Sequence, residues 1–485
     1  MLDRVLPSMA TFAVSALLAA CTLGPDYKAP HTPQAERFAR QPSPQDRPMA
    51  TPAADAAFWR NLGDEQLTAL IEQALSANHD IRIAMANYDR ANALLGGARF
   101  DRYPTLGAQA QARTGRSSAS QMPTADREQR DGEQFDTRLT AVWELDFFGR
   151  IRRSIEAQRA DTEALASDLA TVQVAIVAEL ADAYFRMRGA QAQWTVARGN
   201  ADNQRETLGL IETLLENGRG TAFDSDRTHA QLALTEARLP PLAAEAAVLA
   251  HRIAVLSGQT PTALAEALAR PVPQAVLPAL IDPGTPGDLL RRRPDVVAAE
   301  RRLHAATARI GVATADLFPR FTLGGLLGSQ ALSVGALFGR DSEMRAVTLG
   351  IDGSFLDIGR VRARIAATDA QAAGAMAQYE RTVLRAMEET ENALLRLTSA
   401  HDERAALNRA ARSSERAVKV SRLQFEVGAI SVLDVLAAER TRLDAEDLLA
   451  QSKAREATAL VALYKSLAGG WPAAVPKQTA GAHRL

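Results

Sequence analysis

The segment Phe135-Asp136-Thr137-Arg138-Leu139-Thr140-Ala141-Val142-Trp143-Glu144-Leu145-Asp146-Phe147-Phe148-Gly149-Arg150 decides the fold. Phe135, Thr137, Leu139, Ala141, Trp143, Leu145 and Phe147 alternate with Asp136, Arg138, Thr140, Glu144 and Asp146. Successive side chains of a strand point to opposite faces, so this period of two predicts one apolar face and one charged face. The Leu-Asp-Phe-Phe-Gly-Arg that closes the segment returns as Leu356-Asp357-Ile358-Gly359-Arg360, at an offset of 210.

Other landmarks repeat in the same order. Asn78-His79-Asp80-Ile81 resembles Arg293-Pro294-Asp295-Val296, and Tyr103-Pro104 resembles Phe318-Pro319, both at an offset of 215. Glu179 and Glu389 keep 210, and Gly220 and Asp226 match Gly428 and Asp434 at 208. Ordered landmarks with slowly drifting offsets mark a tandem duplication. Each half predicts a helix, two strands and two long helices. In the first half the helix runs from Asp64 to about Ala98, and Pro104 opens a strand reaching about Ala112. The polar stretch from Arg113 to Glu133 reads as an exposed loop. In the second half the strands carry Phe321, Leu323, Gly325 and Leu327, then Val347, Leu349, Ile351 and Phe355 opposite Thr348, Asp352 and Ser354. Strands of ~10 residues with an oily and a wet face suit a water-filled transmembrane barrel, with Trp143 and Phe147 at its interface. The same alternation also suits a soluble sheet. Four strands cannot close around a channel, so a barrel requires several chains to share it.

No proline occurs from 124 to 239 or from 320 to 471. A helix over 151–216 spans on the order of 100 Å at 1.5 Å per residue, far beyond the usual dozen or so residues. Leu165, Leu169, Val172 and Ile176 step by 4, 3 and 4, as do Val361, Ile365, Thr368, Ala372, Ala375 and Tyr379. That is a coiled-coil period. Hydrophobic residues make up 47 % of the chain but aromatics only 5 %, which favours close-packed helices. The turns Asn217-Gly218-Arg219-Gly220-Thr221 and Val427-Gly428-Ala429-Ile430-Ser431 predict two antiparallel hairpins, with Thr221 and Ser431 capping the returning helices.

The one cysteine, Cys21, has no internal disulfide partner. Arg4 and the apolar run through Val14, Leu17, Leu18 and Ala20 are too short to span and read as a secretory signal. Leu18-Ala19-Ala20-Cys21 fits a bacterial lipobox, whose thiol takes a lipid; a chance cysteine beside a signal is the plainer alternative. No later segment holds ~18 uninterrupted apolar residues. With a net charge of -1 the chain has no field to recruit nucleic acid. Arg291-Arg292-Arg293, flanked by Asp288 and Asp295, reads as a salt-bridged helix start. The seven histidines lack metal-ligand spacing and the nine methionines form no Met/His cluster, so no metal and no cofactor is expected beyond lipid on Cys21. Gly324-Gly325-Leu326-Leu327-Gly328 is no phosphate loop but small residues in a strand. Glu388, Glu389 and Glu391 read as a solvated or tunnel-facing surface, and no catalytic constellation emerges. A lipid-anchored coiled-coil scaffold would explain Cys21 and the helices but leaves the strands without purpose.

The opening Cys21-Thr22-Leu23-Gly24-Pro25-Asp26-Tyr27-Lys28-Ala29-Pro30 resembles that of outer-membrane efflux proteins, in particular their lipoprotein branch. So does the set Leu289-Leu290, Arg293-Pro294-Asp295-Val296, Ala299-Glu300, Ile310-Gly311, Phe318-Pro319, and the resemblance runs from Cys21 to about Trp471. It implies an α+β membrane protein, a homotrimer whose four strands per chain share a twelve-stranded barrel and whose coiled-coil hairpins form a periplasmic tunnel. It divides the chain into a signal (1–20), a lipid-anchored arm (21–58), two repeats (59–258 and 288–471) around an equatorial linker (259–287), and a tail (472–485). The implied role is passive conduction of drugs or other small toxic compounds, or another secreted class, from periplasm to exterior. The implied partners are outer-membrane lipid, a periplasmic adaptor and an inner-membrane transporter of the resistance-nodulation-division type. The hairpin tips, with Gly218, Gly220, Thr221, Gly428 and Ser431, would meet the adaptor. Asp224, Asp226, Leu433 and Asp434 would form the periplasmic gate, although some relatives carry an acid where Ala437 stands. Threefold symmetry turns acids into cation-holding rings and a leucine into an obstruction. Acids in a first helical turn also favour the helix dipole; both readings stand for Asp434, and the dipole is preferred for Asp226.

Overall fold

The computed structural model describes residues 22–30, 36–39, 51–52, 57–270, 277, 281–354 and 356–467. Cys21, the signal, Phe355, Pro271, Pro273, Pro278 and the tail lie outside the described residues. A short strand β1 (Thr51–Pro52) and a 3-10 turn over Phe58–Leu62 precede α1 (Glu65–Ala77) and α2 (His79–Phe100). The single helix expected from Asp64 is therefore two. Asn78 leaves the helical conformation at ψ 135°, and its Oδ1 accepts the Asp80 and Ile81 N–H groups at 2.8 and 3.2 Å, capping α2.

The strands β2 (Thr105–Arg116) and β3 (Asp131–Leu145) reach well into the stretch expected to be loop. Polar residues extend this hairpin because its ladder is made of backbone, and the Arg116–Asp131 ion pair closes its end. Phe147 falls just beyond β3. Next come α3 (Arg150–Glu216, 67 residues), α4 (Ala222–Glu236) and α5 (Leu239–Leu256). The returning helix, expected whole, breaks before Pro240 and Pro241, which are tolerated only in the first turn of a new helix. After α6 (Ala265–Ala269), β4 (Ile281–Asp282) pairs in parallel with β1. Then α7 (Pro286–Arg292), α8 (Pro294–Ala315), β5 (Arg320–Ala331), β6 (Glu343–Asp352), α9 (Ile358–Glu426, 69 residues) and α10 (Val432–Ser466) repeat the first half.

The larger sheet has the order β2-β3-β5-β6 and is antiparallel throughout, so the two repeats each supply one hairpin. Two compact units cut across the duplication. One gathers the described residues of Met1–His31, Asn87–Leu165 and Ala298–Glu380, and thus the sheet. Its small apolar core includes Leu95, Ile151 and Ile155. In its part of α9, Val361 and Tyr379 are buried and Ile365, Thr368, Ala372 and Ala375 half-buried, so the 4-3 stripe is the covered side. The other unit holds the main core, where Phe58 stacks on Tyr464 at 4.2 Å among Leu67, Ile71, Leu180 and Leu463.

Uninterrupted apolar runs and mean composition part company in the helices. Alanine makes 18-residue stretches of α3 and of Ala222–Leu256 apolar enough on average to cross a membrane. Charges across α3 and α5 pair with one another instead, Arg252 donating to Glu179 at 2.8 Å and Arg186 to Glu245 at 3.0 Å.

Candidate functional site

The sheet is inside out relative to a soluble one. Cross-strand register lines up Leu106, Ala141, Gly325 and Val347 in one row and Ala108, Leu139, Leu327 and Arg345 in the next. Leu106 is 79 % exposed and Val347 83 %, with Leu139, Leu327, Leu349 and Ile351 also bare. A soluble sheet buries such a face; an uncovered apolar surface of this extent marks contact with another body. On the opposite face Asp136 is only 4 % exposed and pairs with Arg138 at 2.9 Å. Among the described residues β2 and β6 each pair on one side only, leaving two free edges. Trp143 donates its indole N–H to the Arg102 carbonyl at 2.9 Å, and Phe147 meets Phe321 edge-on at 5.2 Å.

The hairpin tips are built alike, and they correct the alignment of the repeats. Gly218 (φ 69°) and Gly428 (φ 75°) take the left-handed conformation that ends α3 and α9. Arg219 N–H then reaches back to the Leu214 carbonyl, as Ala429 does to Gln424, both at 2.8 Å. The equivalent of Gly428 is therefore Gly218 and not Gly220, and the offset at the tips is 210 rather than 208. Two glycines in one short turn had hidden the register. Thr221 answers to Ser431, Asp224 to Asp434 and Phe223 to Leu433.

Asp434 is turned on its own helix, accepting the Ser431 N–H at 3.0 Å and the Ser431 hydroxyl at 2.8 Å. These bonds hold its carboxyl below the usual carboxylate range. A depressed value means the cap is fully in place above the usual carboxylate range and is lost as pH falls through the lowered value. Asp224 likewise accepts the Thr221 hydroxyl at 2.6 Å, while its N–H donates to Thr221 Oγ1 at 3.2 Å. Asp226 lies past the first turn, exposed and without a hydrogen bond or ion pair among the described residues. Leu433 is half-buried, whereas Phe223 is 66 % exposed. Sequence reasoning weighed the acids here and missed Phe223, Leu423 and Val427, exposed apolar side chains beside the turns; a single apolar residue at a turn leaves no periodic signal.

Below the tips the same two positions bind each hairpin across its helices, with the carboxylate on the outgoing helix of the first repeat and on the returning helix of the second. Glu212 meets His229 at 3.1 Å in the first, and Arg422 meets Glu439 at 2.6 Å in the second. Further along, Asn78 Nδ2 donates to the Leu256 carbonyl and Arg293 Nη1 to the Ser466 carbonyl, both at 2.9 Å. Each ties the start of a repeat to the end of its returning helix. Arg293 also holds Asp295 and Glu389, while Arg291 pairs with Asp288. Of Glu388, Glu389 and Glu391 on α9, Glu389 takes Arg293 and Glu391 accepts the Ala39 N–H at 2.9 Å.

The opening stretch packs against the part of the second stretch from Glu300 to Gly311. Gly24 (φ 85°) lies so close to Gly311 that a Cβ on Gly24 would stand 2.4 Å from the Gly311 Cα. Tyr27 stacks on His304 at 4.3 Å and donates to Glu300 at 3.0 Å, while His304 Nε2 meets Glu156 Oε1 at 2.9 Å. The buried Arg153 gathers Asp26, Glu156 and the Leu23 carbonyl at 2.5, 2.8 and 3.2 Å. Gly311→Val is expected to expel residues 22–30, raising the rate of trypsin cleavage after Lys28 by about tenfold or more as local opening becomes free. An unchanged rate would show that the segment is held elsewhere.

The sequence profile of outer membrane efflux proteins matches residues 70–259 and 285–469. The chain is 30 % identical to outer membrane protein OprJ of Pseudomonas aeruginosa, covering 95 % of this chain and 96 % of that one. It is 29 % identical to the pyoverdine export outer membrane protein OpmQ of Pseudomonas putida, over 87 % of this chain and 90 % of that one. The solved structure of the outer-membrane channel OprN superposes with a TM-score of 0.85 at 40 % identity, covering 93 % of this chain and all of that one.

Proposed function

This chain belongs to the outer membrane efflux protein family, and from that premise we propose that three copies pool their four-stranded sheets into one twelve-stranded barrel continued by their helical hairpins. The chain is the outer-membrane channel component of an efflux system; its family consists of channels and not of enzymes. The bare apolar face carries the barrel reading, because the sheet leaves its leucines outside while Asp136 is sheltered on the other face. Lipid covers such a face at the outer surface of a barrel. The free edges of β2 and β6 support closure, since joining one copy's β6 to the next copy's β2 removes every edge.

Conduction is passive. A transporter of the inner membrane, of the resistance-nodulation-division type, supplies the energy, and a periplasmic adaptor meets the hairpin tips. The exposed Phe223, Leu423 and Val427 support that contact. The tips form the gate. Leu433 obstructs it, Asp224 and Asp434 cap the helices that shape it, and Asp226 is the carboxylate free to line it. Drugs, solvents and similar small toxic compounds are the cargo. Lipid on Cys21 anchors the arm: Leu23 N–H donates to the Phe148 carbonyl at 3.3 Å, which brings the chain within two residues of Cys21 to the end of β3.

Single-channel recording in planar bilayers tests this. Purified trimer is expected to show discrete openings, larger or longer in Leu433→Ala and Asp434→Ala. Openings untouched by either substitution would remove the tips as the gate. A verified trimer that never conducts would sink the duct and favour a coiled-coil scaffold.

A further inference from the structure

We infer that the outward face of the sheet holds one phosphate-bearing lipid, an acyl chain lying over Gly325 and the phosphate on Arg345. This rests on the membrane reading above. A groove of about 820 Å³ crosses the face, floored by Ala141 and Gly325 and walled by Leu106, Leu139, Leu327 and Val347. The glycine floor is not imposed by strand packing. A Cβ at Gly328 would stand 2.5 Å from the Thr137 carbonyl oxygen, and one at Gly324 would collide with Thr348. At Gly325 it would find only the Ala141 Cβ, at 3.8 Å. What Gly325 leaves is open space beside four bare aliphatic side chains.

Arg345 stands at the rim, across from Leu327. It is exposed and makes no hydrogen bond or ion pair among the described residues, not even with Glu343 on the same face. Six residues separate it from Ile351 at the other end of β6, which is ~20 Å along the strand. With a strand tilt of ~40° this rises ~15 Å, inside an apolar band ~25 Å tall. An arginine facing lipid there is unfavourable unless an anion meets it. Barrel closure does not bring one. The outward residues of β2, which a neighbouring copy would present to β6, are Leu106, Ala108, Ala110 and Ala112 between the barrel's middle and its outer rim. Glu343 neighbours it on the strand without pairing, so a lipid phosphate is the anion that can reach it from outside the chain, and guanidinium pairs with phosphate through two parallel hydrogen bonds.

The connection between β5 and β6 completes the site. Ser329 on the outward face donates its hydroxyl to the Leu337 carbonyl, and Ala331 and Leu337 are buried together. The connection therefore folds over the lipid-facing side above the groove, leaving Leu332, Val334 and Phe338 bare. Apolar side chains beside an unpaired cation, over an apolar groove, match an amphiphile with an anionic head.

Native mass spectrometry of the purified trimer, with dimyristoyl phosphatidic acid compared against dimyristoylglycerol, reads the site directly. The wild type is expected to retain several-fold more phosphatidic acid than diglyceride. Arg345→Leu abolishes that preference, Arg345→Lys keeps part of it, and Gly325→Leu fills the groove and loses retention of both lipids. Undiminished phosphatidic acid on Arg345→Leu and Gly325→Leu trimers that still conduct overturns the lipid site alone. A wild-type chain that forms no conducting trimer overturns the membrane reading, and the site with it.

Discussion

Arg293→Ala is expected to lower the thermal midpoint of helix loss by roughly 4–12 °C, the largest effect of any single side chain outside the apolar core. The guanidinium is 8 % exposed yet fully engaged. It donates to the Ser466 carbonyl at 2.9 Å, to both oxygens of Asp295 at 3.0 and 2.7 Å, and to Glu389 at 2.8 Å. Burial works against its charge, but Asp295 and Glu389 together hold its pKa above the ordinary arginine value. Removing it leaves the Ser466 carbonyl without its donor and Asp295 without its counter-charge, whereas Glu389, 57 % exposed, turns to water, so the cost is below that of a fully buried pair, at about 2–3 kcal/mol. In a unit of this size each kcal/mol moves the midpoint by about 2–4 °C.

Two controls separate this from a general loss of charge. Arg291, two residues away, pairs with Asp288 at 2.7 Å, but its side chain is 77 % exposed. Arg291→Ala is therefore expected to shift the midpoint by no more than a degree or two, since exposed pairs contribute ~0–1 kcal/mol. Arg293→Lys should recover little, because a single ammonium cannot face Asp295, Glu389 and Ser466 at once. Circular dichroism melts of the three variants decide the matter. Equal shifts for Arg291→Ala and Arg293→Ala would mean that the repeat is not tied down at this point.

How much of this was legible beforehand depended on how local the cause was. The strand over Phe135–Leu145 declared itself because an apolar face must alternate with a polar one over adjacent residues. The duplication and the hairpin turns were equally local, in Leu-Asp…Gly-Arg and in glycines at helix ends. The break at Asn78 was missed because the apolar period continues through it while the side chain caps a second helix. The extra length of β2 and β3 was missed because polar residues were read as loop, whereas ladder hydrogen bonds do not depend on side chains. The role of Arg293 was half visible. Its neighbours Asp288 and Asp295 suggested ion pairing, but Glu389 and Ser466 lie 96 and 173 residues away. The union of Gly24 with Gly311 and of Tyr27 with His304 carried no local sign, because each half of the contact makes sense only against the other.

Arg422→Ala is the substitution expected to open the channel most. Near the tip of the second hairpin Glu439 is 5 % exposed, and one of its oxygens is buried without a hydrogen bond. Its other oxygen depends on Arg422, at 2.6 and 3.1 Å. Without the arginine a buried carboxylate loses its counter-charge, at a cost of about 2 kcal/mol or more per hairpin, or roughly thirtyfold in local opening. In a threefold assembly that cost arises three times, so the closed tips lose ground to any arrangement that lets water reach Glu439. Open probability in planar bilayers is therefore expected to rise by at least about tenfold, well above the effect of removing the exposed cap at Asp434. The first repeat supplies the control, since Glu212 and His229 hold the same positions with the carboxylate on the outgoing helix. The double substitution Arg422→Glu with Glu439→Arg restores the pair in that reversed sense and should return the open probability towards wild type. Recovery would establish the ion pair as the latch. If Arg422→Ala leaves the openings unchanged, closure is held instead by the apolar packing around Leu433 and Leu436.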